Sequence, residues 1–195
     1  MESEHLLLVP LAQSHISGLY EAIGSDPEIY RWLPFSTPQN LEEFSKVLEG
    51  FIRDSVAGIR VAHAVILKAG NRPIGTTSFL DLNPTHNSLE IGSTFYSKDF
   101  WRSYVNTEAK FLMLSEAFEV RGVERVTLKT DSLNQRSRSA IERIGAKYEG
   151  ILRHHMRRPD GSRRDSAYFS ILKEEWTQVK ESLQLKLQAA KKKYE

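Results

Sequence analysis

The chain has 195 residues, of which 40% are hydrophobic and 27% are charged, with a formal net charge of +2 and no cysteine. This length fits one domain of ordinary size, about 150 residues. The absence of cysteine excludes disulfides, thiolate metal sites and an enzyme-bound thioester, so a transferred acyl group would have to pass directly to its acceptor.

The N-terminal segment does not resemble a secretion signal, because Glu2, Glu4 and His5 precede only a short apolar run. No apolar run approaches the roughly 20 residues that are needed to cross a bilayer. We therefore expect a cytoplasmic protein that makes no membrane contact. We expect one domain over residues 1–183, followed by a basic helix end and tail over residues 184–195.

The first third of the chain is predicted to form one strand and two helices. In chain order they are a strand from Leu6 to Leu11, a helix capped by Ser14 that runs to Gly24, and an amphipathic helix from Asn40 to Ser55. The loop between the helices is rich in proline and aromatic residues. Its Tyr30, Trp32 and Phe35 are candidates for the wall of an acceptor pocket, although aromatic residues near helix ends more often belong to the core.

Two strands, Val61 to Lys68 and Pro73 to Leu82, are predicted to form a hairpin, because Gly70 and Asn71 between them tolerate a positive φ. A third strand is indicated by the alternation from Leu89 to Tyr96. This alternation predicts one face with Leu89, Ile91, Ser93 and Phe95, and another with Glu90, Gly92, Thr94 and Tyr96. A carboxylate and a glycine therefore share a face.

A helix is predicted to follow this strand, capped by Asn106 and running to about Val120, with Glu108 in its first turn. Free backbone N–H groups at such a helix start form an anion site that suits a pyrophosphate. Because its charge would oppose a phosphate, we expect the Glu108 carboxylate to point away and to be structural.

The last third of the chain is predicted to contain three strands and two helices. They are a half-buried strand in ERVTLKTD, a helix capped near Asn134 and closed by Gly145, strands at Lys147 to Met156 and Asp165 to Leu172 around the turn RPDG, and a helix from Glu174 to Ala190. The fold class is α+β. The helix between the fourth and fifth strands requires a parallel crossover there.

Four segments, LEIGSTFY, WRSYVNTEAK, TDSLNQRSRSAIERIGAKYEGILR and RPDGSRRDSAYFSILKEEW, give the chain its family resemblance. In this order and spacing they resemble the GNAT N-acetyltransferases, in the branch of the ribosomal-protein alanine N-acetyltransferases. The resemblance implies a mixed, mostly antiparallel sheet with helices on both faces. It also implies that the sheet is splayed between strands 4 and 5, with acetyl-CoA in the opening. We expect no metal, because no residues of the sequence have the spacing of metal ligands.

Several site residues follow from this resemblance. It implies that Thr94, Phe95 and Tyr96 bind the pantetheine arm through their backbone. It assigns the pyrophosphate to the loop Arg102, Ser103, Tyr104, Val105 and Asn106. It also places Asn134 and Ser137 beside the carrier, although Asn134 is equally explained as a helix cap.

The sequence departs from the family pattern at two places. Arg102 and Tyr104 replace the two glycines that are usual in the pyrophosphate loop, and Arg102 is able to supply charge to the phosphates. Many members also have a tyrosine seven residues after the asparagine, which protonates the leaving thiolate, but this position is Ile141. Ser137 is then the nearest predicted donor, with a modest contribution.

Glu90 is the predicted general base, accepting the proton of the acceptor amine directly or through water. Without the family pattern, a solvent-facing or salt-bridged strand glutamate would be the commoner interpretation. A weak base suffices for an α-amine, which is neutral in roughly one molecule of seven at pH 7, against about one in 2,500 for lysine.

The leading hypothesis is an N-acetyltransferase that acts on a primary amine, with a protein N-terminus as the candidate acceptor. The alternatives are a small-molecule acceptor (a polyamine, an amino acid or an antibiotic), a non-catalytic acyl-CoA-binding protein and, last, an RNA-binding module that uses the basic segment RHHMRRPDGSRR. Nucleic acid is disfavoured, because no stacking aromatics are interleaved with those arginines. A homodimer is left open.

Overall fold

A computed structural model describes the backbone of residues 1–194 and the side chains of residues 1–190. Seven strands form one sheet in the order β1-β2-β3-β4-β5-β7-β6. The strands are β1 (Leu6–Pro10), β2 (Val61–Leu67), β3 (Arg72–Asn83), β4 (Ser88–Tyr96), β5 (Arg125–Asp131), β6 (Lys147–Arg157) and β7 (Arg163–Leu172). Neighbouring strands are antiparallel except β4 and β5, which are parallel as the crossover predicted.

Six helices cover the two faces of this sheet. They are α1 (Ile16–Ile23), α2 (Pro27–Tyr30), α3 (Leu41–Val56), α4 (Val105–Ser115, continued by a π-helical turn over Glu116–Val120), α5 (Gln135–Arg143) and α6 (Trp176–Tyr194). Helices α1 and α3 enclose one apolar core against β2. Helices α4, α5 and α6 enclose a second core on the opposite face. The predicted α+β architecture is confirmed.

Most element boundaries match the alternation and turn patterns of the sequence. Asn40 caps α3 by accepting the N–H of Glu43, and Gly70 and Asn71 adopt φ of 79° and 48° in the β2–β3 turn. The terminal helix continues past its predicted end at Ala190, and the side chains of the predicted basic tail from residue 191 lie outside the described residues.

Two predicted helix caps are wrong. Ser14 lies inside a short 3-10 turn, and α1 starts only at Ile16. Asn106 lies inside the first turn of α4, because the hydroxyl of Ser103 already accepts the N–H of Val105 at 3.2 Å and starts the helix earlier. At α4 a neighbouring hydroxyl therefore competes with the predicted cap for a free N–H group, whereas α1 starts without a side-chain cap.

The predicted faces of β4 are correct only as far as Gly92. Ser93 adopts a φ of 46°, and the pairing with β3 shifts between Ser78 and Thr76. This bulge inserts one residue and reverses the alternation. As a result Phe95 packs in the core formed by α1 and α3, whereas Ile91 packs in the opposite core.

None of the helices in the described part of the chain combines the length and the apolarity needed to span a bilayer.

We predict that Gly75→Ala destabilises the protein by about 1–3 kcal/mol, as overpacking typically does. A Cβ at Gly75 would lie 2.5 Å from the carbonyl oxygen of Phe95 on the paired strand, and this backbone is unable to retreat without breaking the sheet. The measurement is the free energy of unfolding in urea.

Gly50→Ala in α3 is the matched control. A Cβ there would meet only Arg53 Nη2, at 3.7 Å, so the gain in helix propensity should stabilise the protein by about 0.5–1 kcal/mol. Equal effects of the two substitutions would contradict the close strand approach at Gly75.

Candidate active site

The candidate site is a gap in the sheet where β4 and β5 separate. Their parallel pairing covers only Ser88 to Glu90 against Arg125 to Thr127, although β4 continues to Tyr96 and β5 to Asp131. Beyond Glu90, the edge of β4 that faces β5 has no strand partner among the described residues. A cavity of about 410 Å³ occupies this region. The strands therefore open as the resemblance implied.

Glu90 lies at the last paired position, where the gap begins. Its side chain is 3% exposed and forms an ion pair with Lys129 Nζ at 2.6 Å. A Cβ at Gly92 would lie 2.6 Å from Glu90 Oε1, so the glycine leaves the space that the carboxylate fills. Burial raises the pKa of Glu90 to about 7, and the positive charge of Lys129 limits this rise.

Lys110 brings a second titratable group into the gap, from the first half of α4. It is 6% exposed, and its Nζ donates to the hydroxyl oxygens of Thr94 at 2.7 Å and Thr77 at 3.3 Å. Burial lowers the pKa of Lys110 to about 7, although the charge of Glu90 acts in the opposite direction. Lys110 is therefore neutral in a large fraction of molecules near pH 7.

The loop before α4 contains a left-handed backbone conformation at a residue other than glycine. Arg102 adopts a φ of 60°, a conformation that glycine adopts at least cost. Arg102 and Asn106 line the gap. The other predicted loop residues have different side-chain roles, since Val105 is fully buried, Tyr104 packs on His5 with 4.8 Å between ring centroids, and Ser103 binds the backbone.

Helix α5 contributes the opposite side of the gap. Asn134 caps this helix by accepting the N–H of Ser137 at 3.0 Å, and both residues line the gap together with Ile141. The guanidinium of Arg136 lies 3.6 Å from the centroid of the Trp101 ring. This stack brings a cation from α5 into contact with the residue next to Arg102.

The remaining predicted site residues fall into two groups. Thr94, Phe95, Tyr96 and Trp32 line the gap. Tyr30, in contrast, is 2% exposed and Phe35 packs on Phe51, so neither is part of the lining and both belong to the core. The Glu108 carboxylate accepts bonds from Ser3 and from the backbone of His5, pointing away from the gap as expected for a structural residue.

Sequence reasoning missed six basic residues of the gap: Arg60, Lys110, Lys129, Arg136, Arg143 and Arg164. Two carried a usable signal. Lys129 lies two residues after Thr127 and therefore on the same face of β5, and Thr127 pairs with Glu90. Arg136 lies between the predicted site residues Asn134 and Ser137. Among the described residues, no three His, Asp or Glu side chains cluster in a way that could hold a metal ion.

We predict that Lys110→Met changes how stability depends on pH. The folded pKa of about 7 lies below the ordinary value of 10.5, so the unfolded state binds the extra proton between these values. Stability contributed by Lys110 should therefore rise with pH across that window. The melting temperature of the wild type should increase from pH 7 towards pH 10.5 relative to the variant.

Lys46→Met is the control, because Lys46 is exposed on α3 and forms an ion pair with Glu42 one helical turn away. Its pH dependence should follow the wild type across the same window. If the melting temperatures of the wild type and of Lys110→Met change with pH in parallel, the pKa of Lys110 is not lowered in the folded protein.

Comparison with known proteins identifies the family. The acetyltransferase (GNAT) domain profile matches residues 5–147. The chain is 27% identical over 176 residues to the Bacillus subtilis protein named "Putative ribosomal N-acetyltransferase YdaF", covering 89% of this chain and 94% of the relative.

Solved structures show the same fold. A "putative acetyltransferase" from T. thermophilus is 40% identical with a TM-score of 0.86, and 95% of each chain is covered. "Mycobacterium smegmatis RimJ in complex with CoA-disulfide" is 18% identical with a TM-score of 0.78, covering 91% of this chain and 87% of the other. The chain belongs to the GNAT family of acetyltransferases.

Proposed function

We propose that this enzyme transfers an acetyl group from acetyl-CoA directly to a primary amine, and that its acceptor is a protein N-terminal α-amine. The position of Glu90 carries this proposal. A buried carboxylate with a pKa of about 7 lies where β4 and β5 separate, and this gap is the place where the family fold opens for the thioester.

The reaction requires one proton to leave the amine and one to reach the thiolate. The amine nitrogen attacks the thioester carbonyl carbon, the C–S bond breaks, and an amide and CoA are formed. Glu90 takes the proton that the nitrogen loses. Ser137, which lines the gap on α5, donates a hydrogen bond to the departing thiolate, and solvent completes its protonation.

The pKa of Glu90 favours an α-amine over a lysine side chain. An α-ammonium of pKa about 7.8 lies within one unit of Glu90, so moving its proton costs about 1 kcal/mol. A lysine of pKa about 10.4 would cost nearly 5 kcal/mol for the same transfer. The name of the YdaF relative, which specifies a ribosomal acceptor, supports a protein substrate of this kind and a cytoplasmic location.

The carrier would be held along the α4 side of the gap. Arg102 and the Arg136–Trp101 stack supply positive charge and an aromatic surface beside the first turn of α4, where N–H groups lack intrahelical partners. The unpaired edge of β4 near Thr94 to Tyr96 offers backbone groups to the pantetheine amides.

The direct test is intact-mass analysis of ribosomal-protein N-terminal peptides incubated with the enzyme and acetyl-CoA. Peptides with a free N-terminus should gain one acetyl group, whereas the same peptides with a blocked N-terminus and free lysines should not. Acetylation of the blocked peptides at the same rate would contradict the α-amine assignment. Acetyl-CoA binding without thiol release from any peptide would show that the protein binds the carrier but does not catalyse acetyl transfer.

We predict that kcat of the wild type rises with pH through about 7, because Glu90 must be deprotonated to act as a base. Glu90→Gln should lower kcat by about 100-fold, a typical contribution of general base catalysis, and should remove this rise. The KM for acetyl-CoA should change little. The measurement is steady-state thiol release between about pH 5.5 and about pH 9, within the ordinary range of such titrations.

Ser137→Ala is the comparison variant for this profile. It should lower kcat modestly while the rise near neutral pH is retained, because Glu90 is intact. Lys110 also titrates near pH 7, so Lys110→Met separates the two groups. If kcat of Glu90→Gln still rises with pH through about 7 and kcat of Lys110→Met does not, Glu90 is not the general base.

A further inference from the structure

Arg164 is a buried cation on the Glu90 side of the gap. It lies on β7, opposite Met156 of β6, and is 8% exposed. Successive even positions of β7 share one face. The register places Ser166 opposite Asp131, and Tyr168 opposite Lys129, so Arg164 belongs to the face that carries the Lys129–Glu90 pair. Its side chain lines the gap.

The carboxylates near Arg164 are already occupied by other cations. Asp131 Oδ2 accepts from Nε and pairs with Nη2 of Arg158, both at 2.8 Å, and Asp131 Oδ1 accepts the N–H of Leu133. Glu90 pairs with Lys129. Within the described part of the chain, Arg164 forms no ion pair, and its buried Nε has no hydrogen-bond acceptor.

An unpaired guanidinium in this position is costly to the fold. Buried charges are normally paired and hydrogen-bonded, because the loss of hydration is otherwise uncompensated. The adjacent Arg163 shows the ordinary alternative, since it is on the same strand but exposed. Arg164, however, is directed into the gap, where it is available to a bound molecule.

The chemistry of the group indicates what it would bind. A guanidinium presents parallel N–H donors in a planar fork that matches a carboxylate in a two-point interaction. Around Arg164, the cations Lys129, Arg158 and Arg164 face three carboxylates, Glu90, Asp81 and Asp131, and these carboxylates pair with Lys129 and Arg158. Of these three cations, Arg164 is the one that is left to pair with an anion of a bound molecule.

We infer that Arg164 binds a carboxylate of the acceptor, so that the enzyme selects amines which carry a carboxylate close to the reacting nitrogen. This inference rests on the proposed function of the gap as the acceptor site. The carboxylate has two chemical sources: an acidic side chain in the first residues of a polypeptide, or the α-carboxylate of a free amino acid.

The test compares acids with their isosteric amides. Peptide pairs differ only by Asp against Asn, or Glu against Gln, at the first or second residue, and free amino acids are paired with their carboxamides. The kcat/KM of each is measured by thiol release for the wild type, Arg164→Gln and Arg163→Gln. Arg163→Gln makes the same change of charge at the neighbouring exposed position.

For peptides, for free amino acids or for both, the kcat/KM of the wild type should be about tenfold or more higher for the acid than for the matching amide. This ratio is expected for hydrogen bonds to a charged partner. Arg164→Gln should reduce this ratio to near one, because kcat/KM should fall more for the acids than for the amides. Arg163→Gln should keep the preference. An equal use of acid and amide by the wild type, or a preference that survives in Arg164→Gln, would overturn the inference.

Two further outcomes distinguish this inference from the proposed function. Acetylation of free amino acids but of no peptide, with an acid preference that Arg164→Gln abolishes, would retain the role of Arg164 and refute the peptide acceptor. An increase in the KM for acetyl-CoA with an unchanged acid-to-amide ratio would assign the guanidinium to the carrier's phosphates and overturn the inference.

A binding measurement tests the inference even if the enzyme acetylates none of these peptides and amino acids. Calorimetric titration of N-acetylated peptide and amino-acid products into the CoA-saturated enzyme needs no catalysis. Tighter binding of the acids than of the amides, lost in Arg164→Gln and kept in Arg163→Gln, would support the inference. Equal binding of acids and amides would overturn it.

Discussion

The separation of β4 and β5 after three paired residues is the constraint on which the site depends. A parallel pair that continued to Tyr96 would fill the gap with backbone hydrogen bonds and leave no room for a substrate. The bulge at Ser93, three residues after the last β4–β5 pair, reverses the faces of the second half of β4. The distortion therefore lies within the unpaired edge that borders the opening.

The opening also sets the proton chemistry, because Glu90 is at its closed end and is shielded from water. Burial alone would raise the pKa of the carboxylate further, and full exposure beside Lys129 would leave it near or below 4.5. The combination of burial with one close cation yields a base near neutrality. Lys110 shows the converse effect, because hydroxyl groups surround its amine and burial favours the neutral form.

Sequence patterns were sufficient to predict features that depend on neighbouring residues. The hairpin turn at Gly70, the cap at Asn40 and the shared face of Glu90 and Gly92 follow from local backbone preferences. The bulge was not predictable in this way, because a positive φ at a serine leaves no compositional trace. The pairing of Asp131 with Arg158 was equally inaccessible, since residues 27 positions apart meet only through the β6–β7 hairpin.

Several departures from ordinary stability rules lie around this gap. Ser93 and Arg102 adopt left-handed backbone conformations, each at a cost of about 1–3 kcal/mol for a residue other than glycine. Lys110 is buried next to hydroxyls, and Arg164 is buried without an anion among the described side chains. A fold tolerates such costs where its binding partners compensate them. An acceptor carboxylate at Arg164 would supply the missing charge on one wall, while the carrier's phosphates would do the same beside Arg102.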